Sequence, residues 1–491
     1  MDTSGVRRAA GPRCIALVGP YLSGKTTLLE ALLFRTGAIQ RQGKVSDKST
    51  VGDAAPEARA HGMSVELNTA TASFMGDNYT FIDCPGSIEF AQEARAALAG
   101  CDAAVVVCEA DDKKVPALQL ILKQLDELNV PRFIFINKVD KTEVSPADVL
   151  AYLQPASSKP LILRQIPMWN KGTISGFVDL ALERAFIYRE HKESEVVEIP
   201  ADMAASEKNE RFAMLEKLAD HDDELMEQLL SDMEPPRDRV FADLSRELAE
   251  GLITPVLFGS AEHGNGIGRL LKALRHEAPG VAETAKRLGL KAGNGATAQI
   301  LKTFHTAHGG KLSVARVLSG EIADGAVFYG GKGQDGRTAG LFTLMGVNPV
   351  KIAKAQAGDT VALGRLENFA TGETISTTKG TTPQLIAIAA APGVFGMAIA
   401  VSDRKDEVKL TSSIAKLIEE DPSLSLEHNI DTHEMVMWGQ GEMHLRVALE
   451  RLEGKFGVHA KTRPRRIAYK ETIRKSTQIR GRHKKQSGGH G

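Results

Sequence analysis

The run Gly19-Pro20-Tyr21-Leu22-Ser23-Gly24-Lys25-Thr26 constrains the fold more than any other feature of this chain. Its spacing is G-x-x-x-x-G-K-T, in which glycines let the backbone curl until several N–H groups face one cluster of phosphate oxygens. Such a loop works where a buried strand delivers the chain and a helix carries it away, because the helix N-terminus adds a field that favours an anion. Both flanks are present. Residues 14–18 read as a short buried strand, and residues 26–36 carry Leu28, Leu29, Leu32 and Leu33 at helical spacing. Lys25 is expected to reach the β- and γ-phosphates and Thr26 to give its hydroxyl to Mg2+. Gly19 through Thr26, with Thr27 behind them, are expected to line the nucleotide.

Three further motifs follow in order. Asp83-Cys84-Pro85-Gly86 ends a strand at 79–82, and Ser87 comes next. An aspartate there can hold a metal-bound water, and the Gly86 N–H can meet the γ-phosphate and sense it. Asn137-Lys138-Val139-Asp140 follows a strand at 133–136. Asp140 offers two acceptors to the N1–H and exocyclic N–H of guanine, a match adenine does not have, and Lys138 can lay its stem across the base. Gly259-Ser260-Ala261 ends a strand at 253–258, where a backbone N–H can meet guanine O6. The D-x-P-G and N-K-x-D runs are each common turns when met alone. Their order behind a complete phosphate loop selects guanine nucleotide, GTP or GDP.

The strands at 14–18, 79–82, 103–108, 133–136 and 253–258 are short, apolar and β-branched, and helical patterns at 89–98 and 117–128 lie between them. Strands alternating with helices predict a doubly wound α/β sheet. Between Gly37 and Asn68 the chain is polar without a clean period, the mark of a functional switch or a disordered segment. A chain of 491 residues exceeds one hydrophobic core. The expected divisions are a GTPase domain at 1–285, with an inserted subdomain at about 150–250, and a β-barrel at 295–380. A ferredoxin-like α+β domain at 384–465 and a basic tail at 466–491 follow. The insertion should continue the α/β pattern and then form an acidic amphipathic helix at 204–230. The barrel reading rests on short apolar runs broken by Gly between Thr297 and Ser376. The ferredoxin-like reading rests on a β-α-β-β-α-β order after Pro383, with helices at 407–420 and 443–456.

A formal net charge of -1 neither demands nor excludes nucleic acid, although residues 461–485 are dense in Lys and Arg. That run can touch nucleic-acid phosphates or stand as a solvated tail. The four cysteines, Cys14, Cys84, Cys101 and Cys108, form no C-x-x-C pair, which fits a reducing compartment. The polar start and the lack of any long apolar run indicate a cytoplasmic protein with no membrane partner. Trp169 and Trp438 read as core anchors. His433 and His444 have no third ligand near them in sequence, which argues against a metal site there.

Taken together, the chain resembles translation elongation factor G over nearly its whole length. The resemblance is carried by the four nucleotide motifs and the long insertion between Asp140 and Gly259. Later echoes are Glu420-Asp421-Pro422-Ser423, Gly439-Gln440-Gly441-Glu442-Met443-His444-Leu445, Ala468-Tyr469-Lys470-Glu471-Thr472-Ile473 and Lys485-Gln486-Ser487-Gly488-Gly489-His490-Gly491. It implies a monomeric GTPase that acts on the ribosome, through ribosomal RNA and the stalk proteins, and couples GTP hydrolysis to translocation or recycling. It aligns the Gly37 to Asn68 loop with switch I and the segment from Asp83 with switch II. Thr26, Ser64 and Asp83 are then the expected Mg2+ residues, and Lys25, Ser64, Gly86 and Ser87 the expected catalytic set.

Three departures from the family pattern bear on turnover. Ser87 stands where the family has the histidine that orients the attacking water, a loss worth on the order of 10²–10⁴ in rate for a positioned group. Pro20 and Leu22 stand where the family has a histidine and an aspartate, so a carboxylate able to hold a monovalent cation is gone. Ser64 matches the switch I threonine and keeps its hydroxyl. The alternative expectation is therefore a GTP-gated ribosome-binding regulator with little or no hydrolysis. The resemblance also implies that the chain stops inside the opening strand of a fourth domain, as a truncated product or an incomplete sequence would.

Overall fold

The computed structural model describes residues 11–142, 144–291, 293, 295–306, 310–380, 382–386, 388–401, 406–482 and 488. Of the C-terminal echo from Lys485 to Gly491, all but Gly488 lies outside them.

The first half is built on β1 (Arg13–Val18), α1 (Lys25–Arg35), α2 (Pro56–His61), β2 (Asn68–Phe74), β3 (Asp77–Asp83), α3 (Ala91–Gly100), β4 (Ala103–Cys108), α4 (Val115–Glu127), β5 (Arg132–Ile136), α5 (Pro146–Leu153) and β6 (Leu161–Leu163). Every residue of β1, β4 and β5 is buried, which is why they read as unbroken apolar runs. β1 lies parallel to both β3 and β4, β4 pairs β5, and the sheet is completed by β11 (Thr254–Phe258) and β6, all parallel. β2 is the exception and runs antiparallel to β3. Because β1 sits between strands that come later in the chain, its C-terminal end opens on the crevice where the winding reverses. That is where ligands of such sheets bind.

Between β6 and β11 come β7 (Gln165–Asn170), β8 (Thr173–Asp179), β9 (Arg184–Ile187), β10 (Glu195–Val197), α6 (Ala204–Ala219), α7 (Asp223–Leu230) and α8 (Arg237–Ala249). After β11 follow α9 (Ile267–His276) and α10 (Val281–Arg287). The inserted strands form their own antiparallel sheet in the order β10-β9-β8-β7, where the sequence indicated a continued α/β alternation. The expected acidic helix is two helices. Asp222 breaks it, because its carboxylate accepts the Leu225 N–H at 3.0 Å and caps α7. Trp169 is no core anchor: it is 41% exposed on β7.

The second half opens with a β-rich domain made of β12 (Thr297–Thr306), β13 (Gly310–Ser319), β14 (Glu321–Ala323), β15 (Val327–Gly330), β16 (Asp335–Arg337), β17 (Leu341–Met345), β18 (Asn348–Lys351), β19 (Lys354–Gln356), β20 (Thr360–Gly364) and β21 (Thr374–Ser376). Its core is small and apolar, with Ile300, Val317, Phe328, Leu363 and Phe369 buried together. β17 reaches across to pair Met345 with Ala70 of β2, so the barrel sheet and the nucleotide sheet are continuous.

The last unit is β22 (Phe395–Val401), α11 (Glu407–Glu420), β23 (Ser425–Asn429), β24 (Glu434–Gly439), α12 (Glu442–Gly454) and β25 (Ala460–Pro464). Its antiparallel strand order, β23-β24-β22-β25, is the split β-α-β arrangement that the element order predicts. Trp438 is half-buried here. Its indole N–H donates to Glu427 at 2.7 Å and the Arg465 guanidinium lies 5.0 Å from its ring centroid. Among the described residues no helix is long and apolar enough to cross a membrane.

Candidate functional site

Parallel winding places the C-terminal ends of β1, β3, β5 and β11 along one edge, and each of the four motifs begins where one of those strands stops. The loop after β1 needs its glycines. Gly19 and Gly24 have φ of 153° and 93°, and a Cβ on either would collide with the Val107 carbonyl or the Asn137 side chain. Leu22 also sits at a positive φ, 61°, which a branched side chain adopts only at some cost. Lys25 folds back over the loop, its ammonium donating to the Pro20 carbonyl at 3.0 Å, while Ser23 N–H donates to the same oxygen at 3.2 Å.

Three segments converge beside it. Thr26 of α1 donates to Asp83 Oδ2 at 2.7 Å, and its hydroxyl lies 3.3 Å from that of Ser64. Thr26 and Asp83 are buried. Gly86 lies so close to the Lys25 ammonium that a Cβ there would clash with it. Lys25, Thr26, Ser64 and Gly86 line a cleft of about 180 Å3 together with Asp53, and Asp83 lies behind Thr26. Asp53 was not singled out from sequence, since nothing in the polar stretch from Gly37 marks it.

The electrostatics of the cleft call for a cation. Asp53 and Asp83 are both buried, and Oδ1 of each has no hydrogen-bond partner. Burial, and then the neighbouring Asp53 charge, push the Asp83 carboxyl up to about 7. Burial raises Asp53 as well, against the hydroxyls of Ser64 and Thr26. Lys25 is lowered by burial, with Asp83 pulling the other way. Two carboxylates and two hydroxyls, all hard oxygen donors with unused lone pairs, suit Mg2+. Among the described residues no group of three or more His, Cys, Asp and Glu side chains is placed to hold a metal ion by itself.

The base end is organised by Asn137. Its amide donates to the Ser23 carbonyl at 2.9 Å and accepts the Ala261 N–H at 2.9 Å, tying the phosphate loop to the loop after β11. Val139 N–H meets the Gly259 carbonyl at 3.3 Å and Ser260 N–H the Asn265 carbonyl at 3.0 Å. The Ser260 and Ala261 N–H groups offered to guanine O6 are thus both paired within the protein. Lys138 takes a positive φ of 62°, and its ammonium binds the Leu22 carbonyl at 2.8 Å and Glu109 at 2.9 Å. Asp140 faces His263, 3.6 Å away, and His263 in turn meets Glu190 at 3.0 Å. Glu109 and His263 were not foreseen, because both act across loops far apart in sequence.

Cys84 and Pro85 turn the chain out of β3, with Cys84 buried and its thiol pushed well up by burial. Ser87 lies beyond them beside a second cavity of about 830 Å3 and does not line the phosphate cleft. From there the chain runs into the last domain. Glu89 Oε2 accepts the His444 N–H at 2.8 Å, at the N-terminus of α12. The α2 region grips the same helix: His61 meets Glu450 at 3.0 Å, and Arg451 meets Glu66 at 2.7 Å. Phe90, Ala58 and Val65 close the seam against Val447. The loop between Gly37 and Asn68 thus contains a short helix, α2, held by another domain.

This site and sheet define a guanine-nucleotide-binding P-loop domain of a translational GTPase. Residues 12–280 match the model of the elongation factor Tu GTP binding domain, residues 295–378 that of elongation factor G domain 2, and residues 390–464 that of elongation factor G, domain III. The chain belongs to the elongation factor G-like family of GTP-binding translation factors. It is 44% identical over 98% of its length to an elongation factor G-like protein of Synechocystis sp., covering 71% of that protein. It is 31% identical to elongation factor G of Fervidobacterium nodosum, again over 98% of this chain and 71% of the relative. A crystal structure of a protein from Thermus thermophilus superposes with a TM-score of 0.83 at 28% identity, covering 92% of this chain and 67% of the other.

Proposed function

We propose that this translation factor holds GTP with Mg2+ in the cleft beside Lys25 and hydrolyses it while bound to the ribosome. The observation that carries the reading is the meeting of Thr26, Ser64 and Asp83, since it joins the phosphate loop to both segments aligned with the switches. Lys25 neutralises the β- and γ-phosphates, and the Gly86 N–H reports the γ-phosphate to the segment beyond it. Thr26, Ser64 and Asp83 would hold Mg2+, with Asp53 as a further oxygen donor. The ion supplies charge neutralisation and orientation of the phosphate oxygens. Asp140 reads guanine through two acceptors, Lys138 covers the base, and Asn137 fixes both loops.

In this reading residues 1–285 are the GTPase domain, with about 150–250 as the inserted part that meets ribosomal stalk proteins. Residues 295–380 are the barrel and 384–465 the ferredoxin-like domain. The chain works as a monomer in the cytoplasm. Because α2 and Glu89 both rest on α12, loss of the γ-phosphate loosens the grip on the ferredoxin-like domain and so changes the shape presented to the ribosome. Ribosome co-sedimentation tests this: the chain is expected to pellet with ribosomes in a non-hydrolysable GTP analogue and to stay in the supernatant with GDP. Absence from the pellet with the analogue contradicts it. Ser87 favours a second reading, a GTP-gated ribosome binder with little hydrolysis, which phosphate-release measurements separate from the first.

A further inference from the structure

The cleft for the phosphates and the larger cavity beside Ser87 are neighbours. Three residues line both: Tyr21, Met63 and Gly86. Ser87 borders only the larger one. Glu89, also on the larger cavity, gives its carboxylate to the His444 N–H. In the reading of the cleft as the GTP site, water reaches the γ-phosphate through the wall shared by the two spaces. Of the three residues on that wall, Met63 carries a weak thioether acceptor and Gly86 no side chain at all. Tyr21 alone carries a hydroxyl, able to donate one hydrogen bond and accept others.

The position of Tyr21 is well held although its ring is 45% exposed. Before it, the Pro20 carbonyl is fixed by both Lys25 Nζ and Ser23 N–H; after it, the Leu22 carbonyl is fixed by Lys138 Nζ. Its own hydroxyl engages no partner among the described residues, so it is free for a ligand or a water.

We propose that Tyr21 is a catalytic residue for GTP hydrolysis, holding the attacking water with its phenol hydroxyl in the role that the family histidine would have at position 87. This rests on the reading of the cleft as the GTP site. The water oxygen forms a bond to the γ-phosphorus as the bond from that phosphorus to the β–γ bridging oxygen breaks. The bond's electron pair leaves with GDP. One water proton passes to a γ-phosphate oxygen, giving inorganic phosphate. The phenol accepts a hydrogen bond from the water and donates one toward phosphate, and neither gains nor loses a proton over the reaction. The chain thereby moves the water-holding group from the end of β3 to the phosphate loop.

The test is single-turnover GTP hydrolysis by the full chain with ribosomes, comparing wild type with Tyr21→Phe, and with GTP affinity measured on the same preparations. Phenylalanine keeps the ring and removes only the hydroxyl at an exposed position. The expected result is a rate lowered on the order of 10²-fold or more, with GTP affinity within about threefold of wild type. A Tyr21→Phe rate within threefold of wild type overturns the proposal, including the case where both are barely active. A parallel fall in rate and affinity overturns it too, since Tyr21 would then be a binding residue. Failure of the wild-type chain to bind GTP at all is a separate result, and it would remove the nucleotide reading itself.

Discussion

At the residue scale, the chain carries the groups proposed to bind guanine nucleotide and departs from the family pattern at Ser87, Pro20 and Leu22. In the proposed reading Asp140 carries base selection, and Asp140→Asn replaces one acceptor with a donor. That substitution should weaken GTP binding by about 1–3 kcal/mol and make xanthosine triphosphate the preferred ligand in competition assays. Ser87 is the other informative position. With Tyr21 holding the water, Ser87→His is expected to change the ribosome-stimulated rate by less than about tenfold, whereas Ser87 as the bottleneck gives a gain on the order of 10²–10⁴. The motif residues were legible because a phosphate loop, a D-x-P-G turn and an N-K-x-D turn each impose local geometry that short runs of sequence encode. Asp53, Glu109 and His263 were not. Their roles arise from loops brought together by the sheet, and no local spacing records that.

At the scale of elements, the parallel strands were legible because burial on both faces makes them continuous apolar runs. β2 was missed, since it is an edge of the parallel set with Thr and Ser alternating through it, and α2 was missed because six residues are too few to show a helical period. What holds α2 is tertiary: Ala58 against Val447, and Arg451 on Glu66. The same domain contains a buried pair, Asp421 with His444, at 2.8 Å. His444 Nδ1 accepts the Gln440 N–H at 3.0 Å, so the proton facing Asp421 belongs on Nε2. Burial acts to raise the Asp421 carboxyl, but the His444 hydrogen bond and charge, with Lys302 and Ser423, bring it down to about 2. The folded value is depressed. The stabilisation is therefore present above the ordinary aspartate range near pH 4 and is lost as pH falls toward 2. Asp421→Asn should remove about 2 kcal/mol at neutral pH and flatten the acid limb of the unfolding profile between those values, read by circular dichroism.

At the scale of the whole molecule, the GTPase domain and the two units behind it are joined by buried charge as well as by the continuous sheet. Arg316 of β13 pairs with Asp102, both fully buried, and Asp102 also accepts from Cys14 N–H at 2.7 Å and from the Thr284 hydroxyl at 2.6 Å. Lys302 of β12 reaches Glu93 of α3 at 2.6 Å and the Glu420 carbonyl of α11 at 2.6 Å, so one ammonium touches all three domains behind the switch segment. Removing one member of such a pair strands the other. Arg316→Met should cost about 3–5 kcal/mol, seen as a lowered midpoint in thermal denaturation of the full chain. A molecule bound together in this way can carry the state of a γ-phosphate from the edge of one sheet to a helix of another domain. The measurement that tests the central claim most directly is steady-state phosphate release from GTP by this chain, with and without ribosomes. The account predicts strong stimulation by ribosomes in a protein that has no histidine at position 87. Tight GTP binding with no stimulated release would contradict it.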